Sequence, residues 1–179
     1  MGRLEVRQAI QAQIQNGQIP MVGTVYAARA YVSEEDYEVN AFGFYMPNVH
    51  GSSAVIVVDL PGEDDRRRIT VQPKTAVFDF NVHPVILEIF FASRSGGVGD
   101  QLVQAQLDYD AIVDALTILI RKDPNMGAPA TIWQAGEAKM FVKHRQGEPF
   151  TTDDWTTTFI YGNVRFEAWE ADIGPAGTV

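Results

Sequence analysis

The first chemistry suggested by the residue types is phosphate binding. The run Ser95-Gly96-Gly97-Val98-Gly99-Asp100 falls between an apolar β-rich segment and a helical pattern, where glycines can expose backbone amides to an anion. The details argue against it. A P-loop needs Gly-Lys-Ser or Gly-Lys-Thr at its end, and a dinucleotide fingerprint begun at Gly97 and Gly99 needs a glycine where Leu102 stands. Asp100 also puts a carboxylate where the anion belongs, so the turn reads as a strand-to-helix connection. His50, His83 and His144 lie in separate segments, and none has a second histidine or an acidic residue at metal-ligand spacing on a helix. Ser52 and Ser53 follow Gly51 without the Gly-x-Ser-x-Gly of a nucleophile elbow. Carboxylates are numerous, but pairing at catalytic distance is a property of the fold. No catalytic residue, metal ligand or cofactor site is assigned, and the chain is expected not to be an enzyme.

Two further clusters bear on contacts rather than catalysis. Arg66, Arg67 and Arg68 could meet phosphate or an acidic partner, but Glu63, Asp64 and Asp65 precede them and offset their charge, which also suits a solvated hairpin turn. Phe42, Phe44, Tyr45 and Met46 gather in the least regular part of the chain. Such a group either folds back onto the core or lies in a contact with another chain. On the second reading, these four residues and the three arginines are candidate interface residues, and the protein is an assembly component.

The bulk properties bound the elements that position these clusters. A chain of 179 residues favours one domain. At that length about 70% of the unfolded surface can be buried without disulfide or metal staples. The chain has no cysteine, which excludes thiol nucleophiles, zinc-cysteine modules and disulfides, and fits assembly in a reducing cytoplasm. Twenty-three acidic against fourteen basic residues give a net charge of −9, so phosphate-driven binding to nucleic acid is not expected. Glu88 and Asp114 interrupt the best apolar stretches well short of the roughly 20 residues a membrane crossing needs. Met1, Gly2, Arg3, Leu4 and Glu5 carry charge where a secretion signal would be apolar.

Periodicity supplies the elements. Val6, Ile10 and Ile14 form one stripe of an amphipathic helix over 3–15, with Asn16 and Gly17 tolerant of positive φ after it and Pro20 preventing its resumption. Residues 29–53 read as a long loop or arm. Ala54 to Leu60 is apolar on both faces and predicts a covered central strand. Arg68 to Gln72 alternates as its hairpin partner would, and Phe78 to Asn81 reads as a strand that Pro84 breaks before another buried strand from Val85 to Phe91. Leu102, Ala105, Tyr109, Ile112, Val113, Leu116, Leu119 and Ile120 recur at helical spacing, with Asp100 as N-cap and Asp123-Pro124 as the stop. Thr131 to Gln134, Ala138 to His144 and the stretch with Val164, Phe166 and Ala168 read as β, with a bulge or tight turn at Gly162-Asn163. The order predicts a single α+β domain over residues 1–173, with a mostly antiparallel sheet, two main helices and a frayed tail at 174–179.

This layout resembles the tail terminator, or tail completion, proteins of long-tailed bacteriophages. The resemblance rests on the N-terminal helix with Val6, Ile10 and Ile14, the variable loop region, the strand Ala54 to Leu60, the strand Val85 to Phe91 leading into the helix that ends at Ile120, and the terminal strand with Val164, Phe166 and Ala168. It implies a structural virion protein with no catalytic residues or cofactor, assembled in the host cytoplasm. Such a subunit would form a generally six-fold ring that caps the head-proximal end of the tail tube, stops its polymerisation and joins it to the head connector. Its partners would be its own copies, the tail tube protein, a connector or head-closure protein, and genomic DNA passing without specific binding; no membrane is implied. A charge of −9 would let DNA slide if Glu34, Glu35, Asp36 or Asp64 faced the lumen. The segments 29–53 and 127–154 are long for a minimal version. A head-closure or connector-adaptor protein shares this ring geometry, and a small ligand-binding domain or enzyme built on the Gly96 to Asp100 turn is the reading from a different class.

Overall fold

Ala54 to Val58 and Val85 to Ala92 are apolar at nearly every position, a pattern that needs cover on both faces of a sheet. Both segments are central strands, and both faces are covered. The computed structural model describes residues 3–30, 37–46, 51–62, 65–71, 76–95, 100–122, 139–145 and 156–172. In chain order these hold α1 (Arg3–Asn16), β1 (Val22–Tyr26), α2 (Tyr37–Tyr45), β2 (Ser52–Asp59), β3 (Asp65–Val71), β4 (Ala76–Ser95), α3 (Asp100–Lys122), β5 (Lys139–Arg145) and β6 (Thr156–Asp172). The result is an α+β domain with one mostly antiparallel sheet, as the periodicity predicts. The strand order is β1-β2-β4-β6-β5, with β3 beside the first part of β4. Only the β1–β2 pairing is parallel among the described strands.

The 20-residue strand β4 organises the sheet. One of its edges pairs with β6 from Asp79 to Ser95 without a break in register. On the other edge, β2 ends opposite Ile86 and β3 begins opposite Val82, so among the described residues His83, Pro84 and Val85 face no ladder partner there. A proline in a central strand ordinarily removes a ladder hydrogen bond. Here Pro84 lies beside a gap between two partner strands on one edge, and the strand runs straight through where a break was expected. Gly162-Asn163 is likewise neither a bulge nor a turn: Gly162 lies opposite Ile89 on one side and Val142 on the other, in an even ladder.

On one face, α1 and α3 cover the sheet. Val6, Ile10 and Ile14 from α1 and Ala105, Tyr109, Ile112, Val113, Leu116 and Ile120 from α3 meet Ile56, Val58, Leu87, Ile89, Phe91 and Val164 in the larger core. Burial of each large apolar side chain contributes about 1.5–3 kcal/mol, so a single charge at Ile10 would undo the docking of α1. The same helix carries a second stripe at Arg3, Arg7 and Gln11. Arg3 donates to Leu60 O, Arg7 to Val58 O at 2.9 Å and Ala27 O at 3.3 Å, and Gln11 to Val25 O at 2.6 Å. Arg7 also pairs with Asp59 at 3.7 Å. One helix therefore covers the core and satisfies carbonyls where β1 and β2 end.

The opposite face is covered by α2, which lies inside the stretch 29–53 that read as an arm. Ala41, Phe42, Tyr45 and Met46 pack there with Val55, Val57, Phe90 and Ala92 in a second core. The strand β1 also has no counterpart in the sequence reading. After α1, the left-handed backbone falls on Gln18 (φ 47) and Met21 (φ 66), not on Asn16 or Gly17. Gly17 serves a different end, since a Cβ there would stand 3.1 Å from Leu119 Cδ2 of α3. The β segment expected at 131–134, the glycines of the 96–99 turn and the tail at 174–179 lie outside the described residues.

Candidate interaction surfaces

The aromatic segment divides between core and surface. The spacing of Ala41, Phe42, Tyr45 and Met46 at i, i+1, i+4 and i+5 puts one side of α2 on the sheet. The Phe42 ring lies 5.2 Å from Phe90 and 4.9 Å from Phe159, both edge-on. Tyr45 lies 5.0 Å from Tyr26 and 5.2 Å from Phe90, and its hydroxyl accepts the Ala30 N–H at 2.7 Å. Burial raises the Tyr45 pKa; the Ala30 hydrogen bond opposes that and the nearby Glu88 charge adds to it. Phe42, Tyr45 and Met46, expected as interface residues, are thus committed to the second core within their own chain, because the sheet needs cover on this face. Phe44 is the member left at the surface, 57% exposed, with its ring edge-on to Tyr45.

Beneath α2 lies a buried carboxylate. Glu88 sits on β4 between Val57 of β2 and Asn163 of β6. Tyr161 donates to its Oε1 at 2.8 Å, and Arg29 Nε stands 3.7 Å from its Oε2. A buried charge is tolerated when it is paired and hydrogen-bonded, and these contacts tie the segment after β1 to the middle of the sheet.

The remaining candidates lie on different strands or outside the described residues. Arg66, Arg67 and Arg68 are not in a turn; they occupy β3 positions opposite Asn81, Phe80 and Asp79. The alternating Ile69 and Val71 extend back through them as one strand, and the connection to β4 falls at 72–75, outside the described residues. Glu34, Glu35, Asp36, Asp64 and His50 also lie outside the described residues. His83 is buried opposite Ala168, and His144 lies on β5 opposite Ile160. Among the described residues no group of three or more His, Asp or Glu could hold a metal ion, and no helix is long and apolar enough to cross a membrane. Ser52 Oγ lies 3.0 Å from Ser93 Oγ and 3.4 Å from Asp108 Oδ2. That cluster ties the start of β2 to α3, and no histidine accompanies it among the described contacts.

The surface that sequence reasoning missed is on α3. Val103, Leu107 and Ile118 are 62%, 56% and 62% exposed. At 100° per residue they fall on one stripe with Ala111, opposite the stripe that meets the sheet. The i, i+4 spacing of Val103 and Leu107 was a legible signal, hidden because the core-facing residues already accounted for the helix. Phe44 and the α3 stripe stand on opposite sides of the same sheet, since α2 covers one face and α3 the other. No protein-family model matches the chain, and no curated protein matches it.

Proposed function

We propose that the protein is a ring-forming virion assembly subunit, a tail terminator that caps the head-proximal end of a phage tail tube and joins it to the head connector. The observation that carries this reading is the arrangement α1, β2, β4, α3, β6: an N-terminal helix and a long central helix packed side by side on one face of a mostly antiparallel sheet. This layout resembles that of tail terminators. Two further features support it. Exposed apolar side chains on opposite sides of the sheet suit a subunit with two different contact surfaces, as a closed ring requires. A net charge of −9 suits a passage through which DNA moves without being held.

The test is polymerisation of a cognate tail tube protein with the chain added below stoichiometry. A terminator stops growth, giving tubes whose length falls as the chain is added, each with density capping one end. Tubes of unchanged length without a cap would overturn the reading.

A further inference from the structure

We infer that Asn16-Gly17, where α1 ends, is a self-modifying site: the asparagine converts to aspartate and isoaspartate through a cyclic imide, gated by the last turn of the helix. This chemistry is independent of the ring reading. Asn16 and Gly17 read as a C-cap in the sequence, yet the left-handed residues are Gln18 and Met21, which leaves the pair free of that role. The chain has six asparagines, and only Asn16 is followed by glycine; Asn40, Asn48, Asn81, Asn125 and Asn163 precede Ala41, Val49, Val82, Met126 and Val164. A side chain on the following residue crowds the backbone nitrogen that must attack, and glycine has none.

No other protein group is needed. The Gly17 backbone nitrogen attacks Asn16 Cγ, the new N–Cγ bond closes the imide, and the Cγ–Nδ2 bond breaks as ammonia leaves with the Gly17 amide proton. Water then opens one of the two imide carbonyls. Cleavage on one side gives aspartate, and cleavage on the other gives isoaspartate, whose backbone is longer by a methylene.

The end of α1 supplies the gate. Asn16 and Gly17 are exposed, so water reaches the imide and ammonia can leave. In the closed helix the Gly17 N–H donates to Gln13 O at 3.0 Å and the Gln18 N–H to Gln15 O at 3.3 Å. The first bond holds Asn16 in helical backbone and occupies the N–H that must be lost before attack. Helix ends open at little cost in free energy, and the reaction runs from that frayed turn.

Conversion changes what this end of α1 does. A carboxylate replaces a neutral amide at the negative end of the helix dipole, where the last turn holds no basic residue. Isoaspartate also lengthens the chain beside Gly17, which lies so near α3 that a Cβ would stand 3.1 Å from Leu119 Cδ2. The connection to β1 has little slack to absorb this, with Gln18 at φ 47 and Met21 at φ 66 before Val22. Modified chains therefore hold α1 less tightly against α3.

The experiment incubates the full chain in mildly alkaline buffer and, in parallel, in urea that unfolds it, with peptide mass mapping and isoaspartate detection at each asparagine. Asn16 should convert in the folded chain ahead of the other five, and about tenfold more slowly than in urea, the cost of opening the last turn. As product accumulates the melting temperature should fall by about 2–4 °C. Asn16→Ser should give no product at this site and a constant melting temperature. Asn16 that stays intact in the folded chain while it converts in urea, or another asparagine that converts first, would overturn the inference. Equal rates in buffer and urea would overturn the gate, and a melting temperature that falls equally in Asn16→Ser would overturn the effect on α1.

Discussion

The Tyr161 hydroxyl donates to the buried Glu88 carboxylate at 2.8 Å, across adjacent strands β6 and β4 and beneath helix α2. A hydrogen bond to a charged group is worth more than one between neutral groups, and a buried acceptor that loses its donor keeps the cost of desolvation. Tyr161→Phe should lower stability by about 1–3 kcal/mol, read from urea unfolding. In a Glu88→Gln background the same substitution should cost less, because the amide is a weaker acceptor. An equal cost in both backgrounds would mean that Tyr161 acts through packing against Phe90 and not through the carboxylate.

Tyr109 presents the opposite case. Its ring packs edge-on to Phe91, and its fully buried hydroxyl has no hydrogen-bond partner among the described residues. Tyr109→Phe removes an unsatisfied polar group of nearly the same shape, so it should leave stability unchanged or raise it by about 1 kcal/mol. A loss of 1 kcal/mol or more at neutral pH would show that the hydroxyl has a partner.

The same residue gives a pH dependence. Burial, with a smaller contribution from the Asp110 charge, raises the Tyr109 pKa well above its ordinary value, and burial raises Tyr45 as well. Below pH ~10 both folded and unfolded chains keep these protons, so the groups leave stability unchanged. Above it the unfolded chain ionises while the folded chain does not, and stability falls as pH rises. Thermal midpoints between pH 9 and 11 should show that fall, and it should be shallower in Tyr109→Phe. Parallel curves for the two proteins would contradict the assignment.

Phe42 and Phe44 are two residues apart and should behave oppositely. Phe42→Ser empties a ring site between Phe90 and Phe159 and should cost about 3–5 kcal/mol, with visible loss of structure by circular dichroism. Phe44→Ser should leave the melting temperature within about 1 °C, since an exposed substitution changes stability little, and should act on association alone. A stable Phe42→Ser would mean that α2 is not part of the core.

Much of this architecture was legible in the sequence. The helices α1 and α3 follow from the spacing of Val6, Ile10 and Ile14 and of Ala105 to Ile120, and β2 from an apolar run with no exposed face. The misses have physical causes. Gly43 has low helix propensity and interrupts the apolar spacing of α2, so a helix made by the sheet's need for cover left little local signal. The 20-residue β4 was hidden by Pro84, which sits beside a gap between β2 and β3 that only the pairing reveals. The outward stripe of α3 was overlooked because one periodicity sufficed to place the helix, and its second face has meaning only once the first is known to be occupied.

The proposed assembly into a ring is tested most directly by negative-stain imaging with native mass over a concentration series. Closed rings are expected, with a central hole wide enough to pass duplex DNA, their population rising with concentration and all at one multiple of the subunit mass. Monomers throughout, or open-ended chains without closed particles, would contradict it.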